Sequence, residues 1–156
     1  MASDIRDIAV NRRARHDYHI LDRFEAGLEL KGTEVKSIRN GHANLNHAFA
    51  RVENGEAFLC DADISPYVKA SFEQHEAKRP RRLLLHKTEI GKLFEATAIA
   101  GNTIVALRMY WKGPRVKVEL GVAKGKQARD KRQDLKERVA RREMDRAQAG
   151  FNRRLR

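Results

Sequence analysis

TIVALRMYWKGPRVKVELGVA, Thr103 to Ala123, decides the fold. Its second half alternates Val116, Val118, Leu120 and Val122 with Lys117, Glu119 and Gly121, the period-two pattern of a strand half-buried in an antiparallel sheet. Its first half, Thr103 to Trp111, is a second strand, and Lys112-Gly113-Pro114 supplies the turn between them. A long strand pair needs partners to cover its inner face, and the preceding residues provide them. HAFARVEN (47–54) and EAFLCDADI (56–64) are strand-like and meet at Asn54-Gly55, a dipeptide that accepts the positive φ angles of a tight hairpin. Further upstream, HDYHILDRFEAGLEL (16–30) sets Tyr18 and Ile20 on one face, breaks at Gly27 and resumes at Leu28 and Leu30, as expected of a long, curved first strand.

Two segments carry helical spacing. In GTEVKSIRNG (32–41), Val35 and Ile38 fall on one side of a short helix that Thr33 is placed to cap. In LLLHKTEIGKLFEATAIAGN (83–102), Ile90, Leu93, Phe94 and Ala98 form an apolar stripe, with Thr88 as N-cap and Gly101-Asn102 as the stop. Between them SPYVKASFEQHEAKRPRR (65–82) loses all periodicity, carries Pro66 and Pro80, and clusters Arg79, Arg81 and Arg82, which predicts a mobile surface loop. Strands in this number with one helix between the later ones predict a mainly β fold over residues 1–123. The expected architecture is a closed barrel of oligonucleotide-binding type, of about six strands, with short flanking helices.

The last stretch, residues 124–156, is of another kind. It holds thirteen Lys and Arg against five Asp and Glu, and so carries eight of the +12 net charges of the 156-residue chain. Ala140, Met144, Ala147, Phe151 and Leu155 make only a narrow stripe of mostly small residues, while Leu135 and Val139 point elsewhere, so a helix here has no broad apolar face to dock. Acid-first pairs at i, i+4, Asp134 with Arg138 and Glu137 with Arg141, favour helix by about 0.2–0.5 kcal/mol each. Gly150 costs about 1 kcal/mol in a helix, and nucleation opposes an isolated segment in water. The expectation is a tail that is disordered when free and helical against a polyanion.

A pI near 10.3 points to nucleic acid, because a polyanion neutralises such an excess while releasing counterions. No run approaches the length of a membrane span and the N-terminus gathers no secretory apolar region, so a cytoplasmic protein with no membrane contact is expected. Cys60 is the sole cysteine, which excludes an internal disulfide and a paired-cysteine zinc site and suits a small buried hydrophobe. There is no Gly-rich phosphate loop and no nucleophile with an adjacent base, so no catalytic residue, metal or cofactor is assigned. His42 with His47 is a weak metal candidate. His86 with Glu89, i and i+3, would be the acid–base pair of a small basic nuclease, the rival reading from a different class.

Eight stretches in order, NRRARHDYHI, FEAGLELKGTEVKSIRNGHANL, NGEAFL, ISPY, RRLLLHKTEI, VALRMYWK, VKVELGVAKGK and DKRQDLKER, resemble the SmpB family of SsrA-binding proteins and run from Asn11 to Arg138. The resemblance implies an adaptor without catalysis of its own, whose barrel binds the tRNA-like domain of transfer-messenger RNA at its elbow and delivers it to stalled ribosomes for trans-translation. It further implies elongation factor Tu as co-carrier, a monomeric protein, and a tail that folds in the decoding region and vacant messenger channel of the small subunit. A general tRNA- or ribosome-binding role is the nearer alternative. The chain departs from the family pattern in KASFEQHEAKRP, which lacks the Gly-Asn and Asn-His pairs, and at Arg129, where an aromatic or histidine is expected before Asp130-Lys131-Arg132. Residues 69–78 are therefore left out of the site, and Arg129 is expected to stack as a guanidinium.

The RNA-binding candidates start with Asn11, Arg12, Arg13, Arg15 and His16, which offer forks for phosphate and an imidazole for stacking. Glu25 enters by resemblance, as a carboxylate that accepts from base amino groups or orients a neighbouring cation. Of Leu83, Leu84 and Leu85, two are expected in the core, and Leu85, next to His86, is assigned as the platform for an unstacked base. Arg82, Lys36 and Arg39 are within reach of phosphates, and Lys124 and Lys126 flank Gly125 where strand gives way to tail. Arg129, Asp130, Lys131, Arg132, Lys136, Arg138 and Met144 are the expected ribosome-binding residues of the tail.

Overall fold

The computed structural model describes residues 4–66, 75–126 and 128–154, with the side chains of 128–130 and 151–154 outside the described set. The elements in chain order are β1 (Ile5–Val10), α1 (Arg12–Asp17), β2 (Tyr18–Leu28), α2 (Gly32–Arg39), β3 (Ala43–Asn44), β4 (Phe49–Glu53), β5 (Glu56–Cys60), β6 (Asp63–Ile64), β7 (Arg81–Leu84), α3 (Lys87–Ala98), β8 (Asn102–Lys112), β9 (Arg115–Gly125) and α4 (Ala128–Arg154). The main sheet runs β1-β8-β4-β5-β7-β2-β9, and because β9 also pairs with β8 the last six of these strands close into a ring. Closure leaves β8 to β9 without edges, as the barrel reading expects.

The β8–β9 hairpin is the longest pairing, from Asn102↔Lys124 to Lys112↔Arg115, and Gly113 at φ 59 opens its two-residue turn. Asn54 (φ 51) and Gly55 (φ 75) make the same kind of connection between β4 and β5. The curved strand HDYHILDRFEAGLEL is the second, not the first: IRDIAV adds β1, paired to the far half of β8 from Val10↔Arg108 to Ile5↔Lys112. Its side chains are mostly exposed, so it carries no apolar alternation to betray it. Gly27 does not break β2, which pairs through it to Leu28. The irregularity lies between Ile20 and Asp22, where Leu21 bulges out of the β2–β9 ladder and increases the local twist.

Inside the ring, Ala26, Leu59, Leu83, Leu93, Ile104, Met109, Val118 and Leu120 are fully or almost fully buried. Each such leucine or isoleucine contributes about 1.5–3 kcal/mol of burial. Cys60 is buried as expected, and burial pushes its thiol pKa up. On α3, Leu93 enters the core but Phe94 is exposed, so the apolar stripe is narrower than its spacing predicts. Neither threonine caps its helix. The carboxylate of Glu34 accepts from the Lys31 backbone N–H at 2.8 Å, and that of Glu89 from the His86 backbone N–H at 3.3 Å, so the acid at the third helical position closes each first turn.

The segment assigned as a mobile loop is in part the reverse. Arg81 and Arg82 belong to β7, and Arg81 is fully buried, donating to the Glu34 carboxylate at 2.5 Å and to the Ala62 carbonyl at 2.6 Å. Arg79 donates to the other Glu34 oxygen at 2.6 Å, and buried His75 bridges the Ile64 carbonyl (2.8 Å) and the Thr33 hydroxyl (2.9 Å). A carboxylate at 0% exposure persists as an ion only because two guanidinium groups neutralise and hydrogen-bond it. Burial alone would raise the Glu34 pKa; hydrogen bonds from Arg79, the Lys31 backbone and Arg81 outweigh it and hold the group below the usual 4.5. The rest of that loop assignment, 67–74, lies outside the described residues, as does Leu155.

By internal contacts the chain forms two units, Met1–Gly125 and Lys126–Arg156. Lys124 lies in β9, opposite His19 and Asn102, so the strand runs two residues past the boundary expected at 123. The second unit is the 27-residue α4. Its large apolar residues among the described side chains, Leu135, Val139 and Met144, are 62%, 45% and 72% exposed. No helix among the described residues is long and apolar enough to cross a membrane.

Candidate nucleic-acid interface

The first group of basic residues is set by α1. Asn11 caps it, accepting from the Ala14 N–H at 3.3 Å, while its amide nitrogen donates to the Ala106 carbonyl at 2.9 Å and its backbone N–H to the Leu107 carbonyl at 2.8 Å. Only Ala14 is buried from the helix, which leaves Arg12, Arg13, Arg15 and His16 exposed around it. Asn11 was expected to touch RNA itself. At 6% exposure, with both ends of its amide engaged, it fixes the helix that presents the arginines.

Glu25 sits at the centre of the second group. It faces Glu119 across the β2–β9 ladder, an arrangement that would repel unless both carboxylates were occupied. They are: Glu25 accepts from the Tyr110 hydroxyl and from Lys112 at 3.0 Å, and Glu119 accepts from Arg23 at 3.1 Å and Arg108 at 2.9 Å. Arg108 also reaches Asp7 on β1 at 3.1 Å and lies 4.4 Å from the Tyr110 ring centroid. The Tyr110 hydrogen bond is the main reason the Glu25 pKa is lowered, with Lys112 adding to it. Burial and that same bond push the Tyr110 phenol up. Glu25 thus holds the Lys112 ammonium and the Tyr110 hydroxyl.

A groove of about 470 Å³ joins Glu25 to β7 and the start of α3, with Arg82, Leu84, Leu85, His86 and Lys117 among its walls. The outward leucine is Leu84, 53% exposed, whereas Leu83 is buried and Leu85 is half-buried against the core. In β7 the side chains alternate, so Arg81 and Leu83 point in and Arg82 and Leu84 point out, and Leu85, assigned as the platform, lines the groove beside Leu84. Gly27 lies opposite Leu84, where an added Cβ would stand 3.1 Å from the Leu84 Cβ. A bare backbone there lets the leucine lie over β2. Arg82 is 3.6 Å from Glu56, and His86 begins α3 through its backbone contact with Glu89.

Lys36 and Arg39 are exposed one turn apart on α2, and Lys124 is exposed at the end of β9. None of the three lines the groove. In the second unit Lys126 pairs with Asp134, and Arg132, Lys136 and Arg138 are exposed with Lys131 half-exposed. The side chains of Arg129 and Asp130 lie outside the described residues. No set of three His, Cys, Asp or Glu among the described residues could hold a metal ion.

The family model "SmpB protein" matches residues 8–150. The chain belongs to the SmpB family. Similar chains include the SsrA-binding protein of Carboxydothermus hydrogenoformans, 55% identical over 140 residues that cover 90% of this chain and 94% of that one. The SsrA-binding protein of Geotalea uraniireducens is 56% identical over 137 residues, covering 88% and 91%. A solved structure described as "tmRNA-SmpB: a journey to the center of the bacterial ribosome" contains a chain 48% identical, with a TM-score of 0.65, covering 76% of this chain and 84% of that one. In this SmpB-family chain sequence reasoning missed Leu84 and Lys117 on the groove beside Glu25, and Lys112 and the buried Tyr110 as the groups that hold its carboxylate. The period-two reading of RRLL would have found Leu84. Lys112 and Tyr110 meet Glu25 only through pairing across β8, β9 and β2, and no local pattern announces that.

Proposed function

We propose that the barrel binds the tRNA-like domain of transfer-messenger RNA and that the chain delivers this RNA to stalled ribosomes, with α4 engaging the decoding region and the vacant messenger channel. The relatives named as SsrA-binding proteins, together with a structural neighbour described with transfer-messenger RNA and the ribosome, support the RNA and the setting. The observation that carries the division of labour is α4: 27 residues of helix whose described side chains are exposed or half-exposed, with seven Lys and Arg against four Asp and Glu over residues 131–150. Such a segment gains little from its own protein and much from phosphates, because each Lys or Arg that neutralises one releases counterions. On the barrel, α1 offers arginines to backbone phosphate, and the groove beside Glu25 offers Leu84 to a base and Arg82 and Lys117 to its neighbours. The protein acts as an adaptor, with elongation factor Tu as co-carrier and one copy per RNA.

Affinity for transfer-messenger RNA and for ordinary tRNA, measured across a salt series, tests this reading. Tighter binding to transfer-messenger RNA at every salt concentration, with a steep loss on adding salt, is expected. Equal affinity for both would favour general tRNA binding.

A further inference from the structure

A second cleft, of about 400 Å³, lies between α1, the turn before β4 and the start of β8, and shares no residue with the groove beside Glu25. Its floor is apolar and fixed: Ala14 and Ala48 are buried, and Val105 is the cross-strand partner of Phe49. Tyr18 and Phe49 line it as half-buried aromatics, Tyr18 packing on the small cluster of Ala14, Val105, Leu107 and Ala123. Arg13, Asn46, His47 and Thr103 stand at its rim with Asp17, whose carboxylate lies 2.9 Å from the His16 imidazole. The walls are held in place before any ligand arrives. Asn11 pins α1 to β8, the Ala106 N–H donates to the Ala48 carbonyl at 3.2 Å, and the Asn46 N–H donates to the Asn44 side chain at 2.8 Å.

We infer that this cleft receives an unstacked RNA base between Tyr18 and Phe49, with Arg13 on an adjacent phosphate; this rests on the RNA-binding reading above. Aromatic walls suit any base, since every base has a π face. An amide and a hydroxyl at the rim, Asn46 and Thr103, match the donors and acceptors of a base edge, and the imidazole of His47 can stack or donate. Arg13 and His47 have no ion pair or hydrogen-bond partner among the described residues, so both are available to a ligand. An apolar peptide side chain would leave the polar rim unsatisfied, and a lone phosphate would leave the aromatic walls unused. A base joined to its phosphate uses both.

The test is amide NMR of the full chain titrated with a hexa-adenylate RNA and with an abasic hexamer of the same phosphate count, alongside binding to transfer-messenger RNA. The amides of Asn46, His47, Phe49 and Thr103 are expected to shift with hexa-adenylate and to stay in place with the abasic strand. Phe49→Leu should weaken hexa-adenylate binding about tenfold, as loss of one stacked base does, without altering its salt slope. His47→Ala, at an exposed position with no role in the fold, should weaken it by a smaller factor. Equal shifts with both strands would reduce the cleft to a phosphate contact and overturn the inference. Retained binding of transfer-messenger RNA with no shift in the cleft would overturn it while leaving the proposed function intact. Loss of transfer-messenger RNA binding by the unaltered chain would remove both.

Discussion

Arg81 and Arg138 are the same residue type placed in opposite circumstances. Arg81 is fully buried in the barrel wall, with a carboxylate and backbone carbonyls around its guanidinium, and Arg138 stands in solvent on α4. The first is part of how the body folds; the second contributes almost nothing to folding and keeps its charge for something outside the protein. The difference teaches where each unit gets its order. The body has a core and a buried ion pair, while α4 exposes Leu135, Val139 and Met144.

The sharpest way to break this comparison is to end the chain after Gly125. Peptide tagging on stalled ribosomes should be abolished, whereas the melting of the body should change by no more than about 0.5 kcal/mol and binding of transfer-messenger RNA should be largely retained. Parallel loss of RNA affinity and tagging would remove the division of labour. Within the body, Glu34→Ala leaves Arg81 as an uncompensated buried charge and should cost about 3–5 kcal/mol in denaturant unfolding. The same change should leave the amide exchange of α4 untouched. Acid gives a milder version. Because the folded pKa of Glu34 lies below its unfolded value of 4.5, its contribution is complete above that pH and is lost as pH falls through the folded pKa. Unfolding measured against pH should therefore show a steeper acid decline in the native chain than in Glu34→Gln. Smallest in stability is Glu25→Ala: an exposed pairing is worth at most about 1 kcal/mol, yet Tyr110 and Lys112 lose their orienting partner. Affinity for transfer-messenger RNA should fall about tenfold, comparable to losing a charged hydrogen bond. An unchanged affinity would take Glu25 out of the interface.

Much of this was legible in the residues. Alternation from Val116 to Val122 and Asn54-Gly55 between two β runs are local signals, and the ring of strands follows from them. What escaped was long-range. Arg79 and Arg81 look like loop cations until α2 brings Glu34 against them, 45 and 47 residues away in sequence, and IRDIAV shows no strand alternation of its own until β8 offers it an edge. Nor does the run of arginines after Asn11 announce that its amide bonds the Ala106 carbonyl and caps α1. In the site, the order of Leu83, Leu84 and Leu85 turns on which of them faces out of β7, a register that Gly27 and Ala57 set from other strands.

Amide hydrogen exchange along the whole free chain tests the central claim most directly. Strands β8 and β9 should exchange only through global unfolding, while residues 131–150 of α4 exchange at nearly the rate of an open chain and become protected when ribosomal RNA is added. Protection of residues 131–150 in the free protein equal to that of β8 and β9 would contradict it.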